Sequence, residues 1–164
     1  MKGSKLPNPE KSKIGLVAGS GDMPQFLIEE IRGRGYRCAV LSVDSDRQDF
    51  YRSTAAEFLN VTVQDGKKAI RFMKDCRVTH LVFAGKVVKS ALYEETSGAD
   101  PVSEHAIAKT SSGRGDERIM RVVESIARMN GFKILGVYDF MTNWIPAKGP
   151  LGRCRPSDSQ MRDI

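Results

Sequence analysis

Three glycine-bearing turns stand where strand-like runs give way to helix-like ones, and they are where this sequence could handle a charged ligand. The first is Gly19-Ser20-Gly21, followed three residues later by Pro24. Unpaired backbone N–H groups and the positive end of a helix dipole make such a turn a phosphate site, and glycine lets a ligand approach the backbone. A dinucleotide fingerprint would have its third glycine where Pro24 stands, although proline suits the first turn of a helix. Asp44, closing the next apolar run, would be the ribose partner, so an NAD(P)-binding oxidoreductase domain is one reading. A tight strand–helix turn without any ligand is another, because two glycines are a weak signal. The second turn is Phe83-Ala84-Gly85-Lys86-Val87, whose Lys86 either reaches an anion beside the first turn or is simply solvated. In the third, Gly113-Arg114-Gly115-Asp116-Glu117-Arg118, Asp116 either caps the following helix or helps to orient a phosphate, a ribose or a domain interface.

None of these turns sets a nucleophile beside a base, and no Ser/His/Asp set or pair of acids in an apolar pocket stands out. The two histidines, His80 and His105, are far apart, and His80 adjoins an apolar strand where a structural role is expected. Neither belongs to a ligand cluster, so no metal site is expected in this chain. Cys38, Cys76 and Cys154 are odd in number and widely spaced, which gives no disulfide framework and fits a reducing cytosol. The net charge of +6 suits an anionic partner. The charges are scattered and lack aromatic interleaving, so nucleic acid is not expected. These residues alone describe a phosphate-friendly module without visible catalytic machinery, and a non-catalytic nucleotide- or partner-binding role remains open.

The elements that must position the turns alternate between strand and helix. Apolar runs at 13–18, 38–43, 58–63, 79–84 and 133–137 read as strands, with apolar residues on both faces, as helices on both sides of a sheet require. Helices are expected over 23–34, where Pro24, Leu27, Ile28 and Ile31 share a face, over 64–76 with Ala69, Ile70 and Met73, and over 116–130. The last carries a stripe of Ile119, Val122, Val123, Ile126 and Ala127 and stops at Gly131. The segment 45–57 reads equally as helix or loop, and 86–112 is irregular, with a short helix about 103–109. The pattern is that of a Rossmann-like three-layer α/β domain with a mostly parallel sheet of about five strands. It is expected over 13–145, after a flexible leader at 1–12 without the apolar core of a signal peptide, and before a linker at 146–164 rich in glycine and proline. No run of about 18 apolar residues is available to span a membrane.

In this order the turns resemble those of the LpxI-type UDP-2,3-diacylglucosamine pyrophosphatases of bacterial lipid A synthesis. The family's opening strand and turn, Gly-Leu-Ile-Ala-Gly-Gly-Gly-x-x-Pro, is met by Gly15-Leu16-Val17-Ala18-Gly19-Ser20-Gly21-Asp22-Met23-Pro24. Its Phe-Ala-Gly-x-Val is met by Phe83 to Val87, and its Lys-Gly-Asp-Asp by Arg114-Gly115-Asp116-Glu117. Late elements look like Gly149-Pro150-Leu151, Pro156 and Asp163-Ile164. The sequence departs from the pattern at Ser20, at Glu117, and at Lys89-Ser90 where the family has Arg-Pro, which leaves room for a different substrate. The resemblance implies a hydrolase that cleaves UDP-2,3-diacylglucosamine, or a related anionic nucleotide ligand, to UMP and 2,3-diacylglucosamine 1-phosphate with Mg2+. It implies a cytoplasmic protein with peripheral contact at the inner membrane. It assigns substrate binding to Gly19, Ser20, Gly21, Gly85, Lys86, Gly115 and Asp116, and no catalytic residue or metal ligand to this chain. The family's catalytic aspartate lies in a second, C-terminal domain expected after Asp163-Ile164, so the chain alone is expected to be inactive. The surface left for that domain would favour a homodimer.

Overall fold

Along β1 (Lys13–Ala18) the residues Ile14, Leu16 and Ala18 alternate with Gly15 and Val17, so both faces of the strand need an apolar cover. A computed structural model describes residues 6–43, 47–87, 99–104, 116–144 and 157–162, with the backbone alone at 116–119. In it β1 is the centre of a five-stranded sheet. The other strands are β2 (Arg37–Val43), β3 (Glu57–Val61), β4 (His80–Ala84) and β5 (Lys133–Ile134). Their spatial order is β3-β2-β1-β4-β5, and every pairing is parallel. The architecture is Rossmann-like α/β.

One face is covered by α1 (Met23–Gly33), with α2 (Gln48–Thr54) and the short α5 (Val137–Phe140) beside it. Pro24, Leu27, Ile28 and Ile31 of α1 are all buried, as their spacing predicts. The unreadable stretch at 45–57 contains α2, which owes its place to Tyr51, fully buried and stacked on Phe58 with ring centroids 6.4 Å apart. Phe140 of α5 meets Tyr36 edge-on at 5.8 Å. The opposite face carries α3 (Gly66–Asp75) and α4 (Asp116–Met129) over Ala39, Leu41 and Leu81.

Two strands are shorter than their apolar runs. The fifth, expected to reach Val137, is a strand over Lys133–Ile134, and its last bond to β4 is from the Leu135 N–H to the Leu81 carbonyl at 2.8 Å. The Asp139 carboxylate accepts the Gly136 N–H at 2.8 Å and turns the chain into α5, so Val137 is helical. The third ends at Val61 rather than Val63, because Asp65 folds back on Thr62 and accepts from both its N–H (2.9 Å) and its hydroxyl (3.0 Å). Of the stretch expected as a leader, residues 6–12 lie against the domain. Leu6 packs on the core, and the Tyr36 hydroxyl donates to the Pro7 carbonyl at 2.5 Å. In the expected linker, a single 3-10 turn at Gln160–Arg162 lies among the described residues. No helix among the described residues is long and apolar enough to cross a membrane.

Candidate functional site

The order β3-β2-β1-β4-β5 reverses direction between β1 and β4, and the crevice at such a point, beyond the carboxyl ends of the strands, is where open α/β sheets bind ligands. Both the Gly19–Gly21 turn and the Gly85–Lys86 turn emerge there, and they are joined. Ser20 donates its N–H to the Lys86 carbonyl at 2.8 Å and accepts the Lys86 N–H at 2.9 Å, a one-rung antiparallel bridge. The Ser20 hydroxyl reaches the same carbonyl at 3.0 Å, and the Gly19 N–H donates to Ala84 at 2.9 Å. The contact demands glycine on both sides. A Cβ at Gly19 would collide with the Lys86 backbone, and one at Gly85, whose φ is +91°, would lie 2.8 Å from the Gly19 carbonyl carbon.

This double turn spends two of the amides that a phosphate cradle would use. Gly19 and Ser20 already donate within the protein. Among the described residues, the amides of Gly21, Asp22 and Met23 meet no acceptor, and they lead into α1. Pro24, where a dinucleotide fingerprint would have glycine, is fully buried and contributes no N–H. Lys86 is exposed at the rim. Arg47, just before α2, spans the entrance: one guanidinium nitrogen donates to Gln25 at 2.9 Å and another pairs with the Asp22 carboxylate. Sequence reading missed Arg47 because it lies in the stretch without clear periodicity.

The N-terminus of α3 is closed internally. Asp100 accepts from the Lys67 N–H with one oxygen and from Val102 and Ser103 (both 3.0 Å) with the other, while the Ser103 hydroxyl accepts the Gly66 N–H at 2.9 Å. Residues 101–104 form a helical turn that overlaps the short helix expected over 103–109 at its first two positions, and 105–109 lie outside the described residues. Behind the double turn, between α3, α4 and the sheet, the described residues leave a half-open apolar cavity of about 270 Å³.

The remaining reactive side chains are structural. His80 opens β4 at the edge opposite the turns, with Nδ1 2.8 Å from the Thr79 hydroxyl. Burial, and then nearby Lys133, hold its pKa below the ordinary imidazole value. Cys38 is buried in β2, where desolvation pushes its thiol up to about 12, far from a thiolate nucleophile. Burial also raises Cys76. Among the described residues no three His, Cys, Asp or Glu side chains converge as a metal site. Asp116 begins α4, but Gly113 to Gly115, Asp44, Lys89-Ser90, His105, Gly149 to Leu151, Cys154, Pro156 and Asp163-Ile164 lie outside the described residues, as does the Asp116 side chain. The structure thus joins Gly19, Ser20, Gly21, Gly85 and Lys86.

Residues 13–144 match the LpxI N-terminal domain family. The UDP-2,3-diacylglucosamine pyrophosphatase LpxI of Caulobacter vibrioides is 28% identical over 160 residues, a match covering 93% of this chain and 54% of that protein. The chain therefore spans about half the length of this curated relative. Among solved structures, the Bordetella bronchiseptica enzyme WbmG in complex with NAD and UDP is similar at 19% identity, over 78% of this chain and 38% of that one, with a TM-score of 0.47. The L-threonine dehydrogenase of Phytophthora infestans is similar at 15% identity over 76% and 35%, with a TM-score of 0.46.

Proposed function

Because this chain belongs to the LpxI N-terminal domain family, we propose that it forms the substrate-binding wall of a UDP-2,3-diacylglucosamine pyrophosphatase. The observation that supports this most is the double turn: two family-type turns, 66 residues apart in sequence, are hydrogen-bonded at the switch point of the sheet. In this reading the amides of Gly21, Asp22 and Met23, with Lys86 and Arg47 nearby, face the pyrophosphate. Gly115 and Asp116 at the start of α4 complete the wall.

The whole reaction adds water across the pyrophosphate, breaks one P–O bond and releases UMP and 2,3-diacylglucosamine 1-phosphate. Mg2+ would neutralise the pyrophosphate. Mg2+ is commonly held by one or two carboxylates together with substrate phosphates and water. In this reading its ligands and the catalytic aspartate belong to a C-terminal domain, and the chain alone is inactive. We place the protein in the cytoplasm, with peripheral contact at the inner membrane where a diacylated substrate resides. The exposed pair Phe26 and Trp144, with rings 4.9 Å apart, suits either that second domain or a homodimer contact.

Thermal-shift titration of the chain with UMP, UDP-N-acetylglucosamine and NAD+, with and without Mg2+, tests the assignment. A ligand at about 100 times its Kd stabilises the fold by roughly 2.7 kcal/mol. Uridine nucleotides are expected to raise Tm and NAD+ is not. A shift with NAD+ alone would move the site to the dehydrogenase class, and robust UMP release by the isolated chain would overturn the division of labour.

A further inference from the structure

We propose that the cavity between α3, α4 and the sheet is an acyl-chain site that takes one saturated chain of roughly ten carbons. The proposal rests on the reading above of a diacylated substrate. Val17 and Phe83 form its floor, Ala69 and Ile70 one wall, and Val123 and Ile126 the other. Among the described lining residues Ser103 supplies the only polar side chain, and its hydroxyl already accepts the Gly66 N–H at 2.9 Å. A sugar or nucleotide placed there would lose its hydrogen bonds to water and find at most the Ser103 hydroxyl among the described lining side chains, whereas hydrocarbon loses nothing.

Size points the same way. The pocket is half open to its surroundings, and its volume of about 270 Å³ is nearly twice that of the ~150 Å³ apolar cavity that takes up benzene, which scales to roughly ten carbons. Its position joins it to the polar site. Val17 lies two residues before Gly19 and Phe83 two before Gly85, and Val87, also a lining residue, follows Lys86 directly. A head group at the double turn and a chain in the cavity would therefore occupy adjoining ground.

The experiment is displacement of N-phenyl-1-naphthylamine, a neutral apolar fluorophore, from the chain by hexyl, decyl and dodecyl maltoside, each below its micelle concentration. Uncharged heads remove any contribution from the basic surface. Affinity should rise at least tenfold from hexyl to decyl and then level off as the cavity fills. Two variants, Ala69→Phe and Val123→Phe, fill it from opposite walls, and each should weaken decyl maltoside at least tenfold while keeping a cooperative melt. Absence of saturable displacement, or undiminished displacement in a filled variant that still melts cooperatively, overturns the proposal. The uridine-nucleotide titration reports separately on the double turn. Length-dependent displacement without a nucleotide shift upholds the acyl site and sinks the pyrophosphatase reading.

Discussion

A methyl group at Gly19 would meet the Lys86 backbone, and one at Gly85 would meet Gly19 as well as an unfavourable positive φ. Gly19→Ala should therefore cost about 1–3 kcal/mol from overpacking alone, and Gly85→Ala at least as much, since left-handed backbone adds about 1–2 kcal/mol. Ser20→Ala loses one hydroxyl bond and should cost only about 1 kcal/mol. Urea unfolding would rank the three, and a Ser20→Ala loss equal to Gly19→Ala would contradict the close approach. A second prediction concerns His80, whose folded pKa lies below its unfolded one through burial and Lys133. The unfolded chain then takes up its proton first on acidification. The stabilising contribution is complete above the ordinary imidazole value of about 6.5 and drains away as pH falls towards the folded value. His80→Leu should flatten the stability slope just below about pH 6.5, and an unchanged slope would assign it to other groups. At this scale the glycines and Lys86 were legible from their types and spacing. Their mutual bonding was not, because it joins residues 66 apart and consumes amides that local spacing leaves available. Arg47 escaped notice because nothing local marks a side chain that reaches back 25 residues to Asp22.

Three helices end in the same hydrogen-bond pattern, and one of them pays a strain for it. After α1, Gly35 donates to Arg32 and Tyr36 to Ile31; after α4, Gly131 donates to Arg128 and Phe132 to Ala127. Both are Schellman caps with glycine in the left-handed position. After α3 the same pair of bonds runs from Arg77 to Lys74 and from Val78 to Met73, but the left-handed residue is Arg77, at φ 57°. Arg77→Gly should raise stability by about 1 kcal/mol, less the entropy that glycine adds to the unfolded chain. A Tm that falls instead would mean that the arginine makes compensating contacts. The element scale was the most legible, since periodicity located α1, α3, α4 and every strand to within a few residues. It failed where side-chain capping outweighs apolar character, as at Gly136 with Asp139 and at Thr62 with Asp65. It was silent at α2, which a single buried tyrosine holds in place.

At the scale of the molecule the described residues fill the two faces of the sheet unequally. On one, α1 buries Pro24, Leu27, Ile28 and Ile31 against β1 and β2, and Tyr36, Tyr51 and Phe140 complete a continuous core. On the other, the described residues that α3 and α4 bury are Met73 and Ala127, while Ile70, Val123 and Ile126 border the cavity. The stripe that marks α4 in the sequence says that it has an apolar face and nothing about what that face meets, so the cavity could not be read beforehand. Packing of this kind sets the order of local opening, since segments with few buried apolar contacts open at less cost than the core. Hydrogen exchange should therefore show the central amides of α3 and α4 exchanging at least tenfold faster than those of α1, a gap of about 1.4 kcal/mol in opening free energy. Adding decyl maltoside should narrow it by slowing α3 and α4 while leaving α1 unchanged, because the ligand binds only the closed form of that face. Equal protection of the three helices in the free chain would mean that the cavity side is as well braced as the α1 side. Slowing of all three together would mean that the two faces open as one unit.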